Sequence, residues 1–433
     1  MKRALAFGGI VATAGLLAAG LAAPAQATPQ DVASKPLADS GIAAWNVTAF
    51  WLAQGAANLI NATPYDVETK VVAKHISKGG PAPDSKPGVV PAIGDEKKVA
   101  AKSKNINLPK TTGKVFFVGS DGRPHWCTAT SVQSAYHNLV ATAGHCVYDT
   151  ESNAATLDYW VFIPGYYQGK TPWGIYVGKQ AFTHYDYDVY EDGDRDYAFV
   201  TVYNGLKGTH DGDAVYGHWV ETDWKTFHSY KKYLGDRGWL KDQTKLLFTD
   251  KAQRHFYIWA FEDAGRLGDN VGGQGLAYNQ KIGQPVFVFG YPSGSHPDGN
   301  YAYSGKTLKW SYGKTFKATA ASIKAEELQA VKSSFTGEGA LGSAWLLKYS
   351  NGRRLGYLNG VTIGVSDTDG NDRYDTSISP YFDGELYGVY GAAKNLWSGS
   401  IATPTGTPAN PPSPSPSPSA TPSPSATPSA PPA

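Results

Sequence analysis

The stretch VATAGHC, Val140 to Cys146, puts a histidine on a small-residue turn at the end of a strand-like run, with a cysteine beside it. The chain has one other cysteine, Cys127. An even pair of cysteines in an exported chain predicts one disulfide. It would close a loop of about 20 residues and contribute roughly 3 kcal/mol in the chain-entropy model. The same bridge would pin the turn that carries the His145 imidazole, and a general base has to stay within hydrogen-bond reach of its nucleophile. Two other readings stand beside that one: a buried structural histidine, and a zinc site built from His125, Cys127, His145 and Cys146. Zinc favours Cys-x2-Cys or His-x3-His spacing, which is missing. No metal or organic cofactor is expected.

Working outward, residues 1–27 combine Lys2 and Arg3, a long apolar run and the small-residue exit Ala25-Gln26-Ala27. That is the pattern of a cleaved signal peptide, so the protein is expected to be secreted and extracellular. No later stretch reaches the roughly 18 apolar residues of a membrane-spanning helix. The formal charge of +2 falls to about zero once Lys2 and Arg3 leave with the signal. Nucleic-acid binding therefore has no electrostatic footprint.

The 49 glycines and 27 tyrosines, with many short aromatic and β-branched runs, favour an all-β fold. GKVFFVGSDGRPHWCTATSV reads as strand, turn, strand. DYWVFIPGYY, YAFVTVYN, QPVFVFGYP and AWLLKYSNGRRLGYLNGVTI carry further short runs closed by Gly, Asn or Pro. The strand–helix alternation of a parallel sheet is absent. Around this β domain, set at residues 111–397, lie three other regions. Residues 28–110 form an N-terminal extension or propeptide-like region with one helix-like stretch, Ala43 to Ala62. Residues 206–265 are longer in period and more charged, and read as a partly helical insertion. Its aromatics Trp224, Phe227, Tyr230, Tyr233 and Trp239 form either a partner surface or packing against the β domain; packing is the favoured reading, since aromatics usually bury. Residues 398–433 are a tail whose last 31 residues hold 12 prolines and no charge. Such a segment cannot bury a core and fits an extended spacer, through cell-wall material for example.

A second motif is DRDYAFVTV, Asp194 to Val202. Asp196 precedes an apolar strand, where a carboxylate can orient an imidazole and stabilise its charged form. Asp192 and Asp194 are equally acidic, so an acidic surface turn is the alternative. The strand-start position of Asp196, 51 residues beyond His145, raises it above its neighbours.

From about Gly113 to Lys394 the chain resembles the chymotrypsin-like serine endopeptidases, particularly the secreted bacterial glutamyl-endopeptidase (V8-like) branch. The residues that carry this are HWCTATSV, TAGHC, FIPGYYQGKTPWG, DYAFVTVYNG, LGDNVGGQGLAYNQKIGQPVFVFGYPSG and SPYFDGELYGVYGAA, in the family's order. The resemblance implies two six-stranded β-barrels with the site between them, His145 as general base and Asp196 as its orienting partner. It implies a peptide or protein as substrate or ligand, bound by a monomer.

The family's third motif, Thr-Gly-Gly-(Ser/Ala)-Ser-Gly-Gly-Pro-Trp, is altered here. The chain runs from Thr336 to Trp345 as TGEGALGSAW. Aligned on Trp345, the nucleophile falls on Leu341, the two glycines become Gly342 and Ser343, and the proline becomes Ala344. Cysteines that the family pairs elsewhere resemble Ser304 and Ser333. The resemblance implies the backbone N–H groups of Gly339 and Leu341 as the oxyanion-hole donors. Ser343 is the plausible local hydroxyl, but two extended residues span about 6.5 Å, while proton transfer tolerates roughly 2.6–3.2 Å between heavy atoms. Three expectations follow: a catalytically impaired family member, an active endopeptidase using Ser343, or a non-catalytic extracellular binding module. A structural wall-associated protein rests on the tail alone.

Overall fold

The computed structural model describes residues 31–65, 81–94, 106–150, 156–207, 209–210, 214–215, 217–236, 247–250, 255–402 and 421–422. The signal-peptide reading of residues 1–27 lies outside them.

The predicted runs form two rings of strands. In the first half, β1 (Thr112–Val118), β2 (Pro124–Val132), β3 (Leu139–Thr142), β4 (Asp158–Pro164), β5 (Tyr176–His184) and β6 (Ala198–Val202) are antiparallel in the order β5-β4-β1-β2-β3-β6. Because β6 also pairs with β5, through Phe199 opposite Phe182, the sheet closes into a six-stranded barrel without edges. In the second half, β7 (Pro285–Gly290), β9 (Ala325–Lys332), β10 (Ala344–Ser350) and β12 (Thr376–Pro380) are joined by two bent strands. One is β8 (Lys309–Lys314, resuming at Phe316–Ala320), which pairs first with β7 and then with β9. The other is β11 (Leu355–Val361, resuming at Gly364–Ser366), which pairs first with β10 and then with β12. With β7 on β10 and β9 on β12, six strands again form a ring. This is the chymotrypsin-like double barrel expected from the sequence.

The N-terminal extension is packed into this fold wherever it is described. Helix α1 (Gly41–Asn61) begins where the Ser40 hydroxyl accepts a hydrogen bond from the Ala43 N–H, an N-cap that satisfies one of the helix's orphan donors. Trp45 and Trp51 are fully buried on it. The Trp51 indole N–H donates to the Tyr159 carbonyl at 2.6 Å, on β4 of the first barrel. The Trp45 indole donates to the Trp259 carbonyl at 2.9 Å, and its ring meets Tyr230 edge-on at 4.9 Å. So α1 is wedged between the barrel and the insertion. Strand Val32–Pro36 extends the sheet at β5, Thr63–Pro64 lies parallel to β2, and Gly88–Val90 pairs with Gly275–Tyr278.

The insertion is as much sheet as helix. Its described part holds helix α2 (Trp224–Asp236) and a three-stranded sheet of Gly217–Thr222, Leu247–Asp250 and His255–Phe261. Phe227 and Tyr230 are buried, as the packing reading expects, whereas Trp224 is 57% exposed. The Tyr233 side chain and Trp239 lie outside the described residues. Of the tail beyond Ala402, Thr421 and Pro422 are described; they pair with Val89 and Gly88, a local departure from a wholly solvated spacer. No helix among the described residues is long and apolar enough to cross a membrane.

The wedge predicts its own energetics. Trp51→Ala is expected to lower the unfolding free energy by about 3–5 kcal/mol, the usual loss for a large buried aromatic. A denaturant titration checks it: a change below about 1 kcal/mol would make the helix a peripheral attachment.

Candidate active site

Strand pairing brings the two motifs together. His145 sits on the 3-10 turn Gly144–Cys146 that follows β3, and Asp196 caps the turn Gly193–Arg195 that precedes β6. β3 and β6 are neighbours in the barrel, with Thr142 opposite Ala198, so the turns at their adjoining ends face each other. Cys127 on β2 is bonded to Cys146, with Cα atoms 6.2 Å apart, and ties the histidine turn to the barrel wall. With both sulfurs in that bond, the zinc reading of these residues is removed.

Asp196 grips His145 twice. Its Oδ2 lies 2.6 Å from Nδ1, and its Oδ1 accepts the His145 backbone N–H at 3.0 Å. The acceptor carboxylate assigns the ring proton to Nδ1, which leaves Nε2 as the lone-pair nitrogen. That Nε2 is buried and has no hydrogen-bond partner among the described residues. Beside the pair, the buried Tyr187 phenol is held well above its ordinary pKa, by burial first and then by the charge of Asp196. The neighbouring acids do other work. Asp192 caps its own turn by accepting the Asp194 N–H. Asp194 accepts the N–H groups of Glu326 and Glu327, both at 2.8 Å, and so ties the first barrel to β9 of the second. Burial raises its pKa to about 6.

The altered loop is ordered. The Leu341 carbonyl accepts the Thr128 N–H at 2.8 Å, and the Gly339 carbonyl accepts the Thr128 hydroxyl at 2.7 Å. One residue of β2 thus holds both of the backbone positions expected to frame an oxyanion. Gly342 has φ of 82°, and a Cβ there would sit 2.0 Å from the Thr128 carbonyl oxygen, so only glycine fits. Leu341 is 1% exposed and belongs to the main apolar core.

Ser343 is not joined to His145. Its hydroxyl donates to the Ala340 carbonyl at 2.5 Å, and the side chain is fully buried against Gly290 of β7. Ser333 and Ser304 form no bond with each other. The Ser333 N–H donates to the Asp375 carbonyl, and the neighbouring Ser334 and Tyr303 share a hydrogen bond at 2.9 Å.

Three side chains around the site were not singled out by the sequence reading. Tyr65, from the extension, stands with its ring centroid 6.5 Å from the His145 imidazole at an interplanar angle of 25°; nothing local in its sequence marks it. Lys114 and Trp126, on β1 and β2, line a cavity bounded by α1 and the Ser293–Lys306 segment. Lys114 has a local signal, a lone cation opening the apolar run KVFFV.

No family model matches the chain, and no curated protein matches it. Solved structures do. The chain is similar to the protease Anisep from Arthrobacter nicotinovorans, at 21% identity over 67% of this chain and 98% of that one, with a TM-score of 0.45. It is similar to the thermostable serine protease AL20 from an extremophilic microorganism, at 20% identity over 66% and 97%, with a TM-score of 0.44. A Glu endopeptidase is similar at 15% identity over 69% and 97%, with a TM-score of 0.40.

Proposed function

We propose that this protein is a secreted member of the trypsin-like serine endopeptidase family, allied to its V8-like branch, in which the cleft binds a peptide segment but the acyl-transfer step is lost. One observation carries the reading: the Nε2 of His145 is buried with no hydroxyl bonded to it among the described residues, while the Ser343 hydroxyl is committed to the Ala340 carbonyl. In the family's chemistry, a serine oxygen gives its proton to that nitrogen as it attacks the carbonyl carbon. Here the nitrogen is oriented by Asp196, as that chemistry needs, and a hydrocarbon side chain occupies the aligned position.

A fluorophosphonate probe that esterifies activated serines tests this on the purified protein. The expected result is no labelling above that of the heat-denatured chain. Labelling mapped to Ser343, and lost in Ser343→Ala, would return the protein to the working endopeptidases.

A further inference from the structure

Between helix α1, the first barrel and the Ser293–Lys306 segment lies a cavity of about 780 Å³. Lys114, from β1, is 3% exposed and lines it. Its Nζ stands 3.1 Å from the centroid of the Trp126 ring, 4.6 Å from that of Tyr166 and 5.6 Å from that of Tyr291. Among the described residues, no carboxylate or carbonyl forms an ion pair or hydrogen bond with this ammonium. Among the described residues, the other charged side chains in the wall are Lys170 and Lys306, and no aspartate or glutamate lines it.

This arrangement is unusual energetically. Ring faces attract a cation, but they do not replace the water or the counter-charge that a buried ammonium gives up. Buried charges are ordinarily paired. The missing counter-charge has an open route from the cavity, and nothing on the wall would repel it. The remaining wall mixes apolar side chains, Leu59, Phe116 and Trp126 among them, with the polar groups of Gln168, Ser293 and Ser304, and the volume is that of a small-molecule or short-peptide site.

The geometry points to a binding site for an organic carboxylate on an apolar body, with the carboxylate on Lys114 and the body against Trp126 and Tyr166. Burial holds the Lys114 amine well below its ordinary pKa. A bound carboxylate would raise it again, so the charged amine is the form that binds, and binding weakens as pH rises. The carboxylate has two sources, a free small acid or the end of a peptide chain. The site does not depend on whether the neighbouring cleft is catalytic, because it is tested by binding alone.

Titration calorimetry on the purified protein, with four probes, decides it. The probes are 3-phenylpropionate and its amide, and acetyl-Ala-Ala-Phe with a free C-terminal carboxylate and the same peptide amidated. At least one acid is expected to bind ten times or more tighter than its own amide, and the tighter acid names the source. The affinity of that acid should fall from pH 6 to pH 9. Lys114→Met should abolish the acid–amide difference while raising the melting temperature by a few degrees, since an unpaired buried charge is removed from an otherwise unchanged wall. Equal binding of acid and amide, or no binding of either acid at millimolar concentration, overturns the proposal on the unaltered protein. A Lys114→Met variant that keeps the preference, or melts lower, overturns it too, by making the lysine a structural part of the aromatic cluster.

Discussion

Leu341→Ser, combined with Ser343→Gly and Ala344→Pro, is expected to create fluorophosphonate labelling at position 341 and peptide hydrolysis at least about 10³-fold above the parent. In serine proteases a missing triad member costs on the order of 10⁶-fold, so under the proposed function the triple variant would recover part of that factor. The rest of the site is in place. Asp196 already orients the His145 ring, the disulfide already fixes its turn, and Thr128 already holds the Gly339 and Leu341 backbone. Gly342 already takes the turn that brings the loop against Thr128. What stands against recovery is packing. Leu341 is buried in the main core, and trimming a buried leucine costs about 2–5 kcal/mol, with a cavity left behind. A melting curve therefore accompanies the labelling. A folded triple variant that stays silent would mean that position 341 does not face the imidazole. A parent that labels as fast as the variant would mean that catalysis was never lost.

The parts of this site that were legible in the sequence are those whose chemistry is local. TAGHC is readable because a strand end, a small-residue turn and a cysteine lie within seven residues. Asp196 was readable only as one of three acids. What separates it from Asp192 and Asp194 is the register of β6 on β3, which places residue 196 beside the histidine turn and points residue 194 at the second barrel. That register is a long-range property, invisible in an acidic turn taken alone. Helix α1 was legible as a helix but not as a wedge. It buries tryptophans towards both the barrel and the insertion, so it lacks the one-sided apolar stripe that would have named its partner. Lys114 was passed over for a related reason: what matters about it is the set of rings that three distant segments bring around it.

Gly290→Ala is expected to destabilise the protein by about 3 kcal/mol, and Ser343→Gly is expected to recover about half of that loss in the same chain. The argument rests on one contact. A Cβ on Gly290 would lie 1.8 Å from the Ser343 hydroxyl oxygen and 2.8 Å from its Cβ, but 3.6 Å from its Cα. The first two distances are overlaps that a packed core cannot absorb. The third is an ordinary van der Waals contact, so removing the serine side chain makes room for the new methyl group. Ser343→Gly alone forfeits the hydrogen bond to Ala340 and adds chain entropy to the unfolded state, at about 1–2 kcal/mol. The two changes should thus be far from additive, with a coupling of about 3 kcal/mol in favour of the double variant. Denaturant titration of the four chains measures it. Additive losses would mean that the serine side chain does not rest against Gly290. Its hydroxyl would then be free to turn towards His145, and the reading of Ser343 as an architectural residue in a dead nucleophile loop would fail with it.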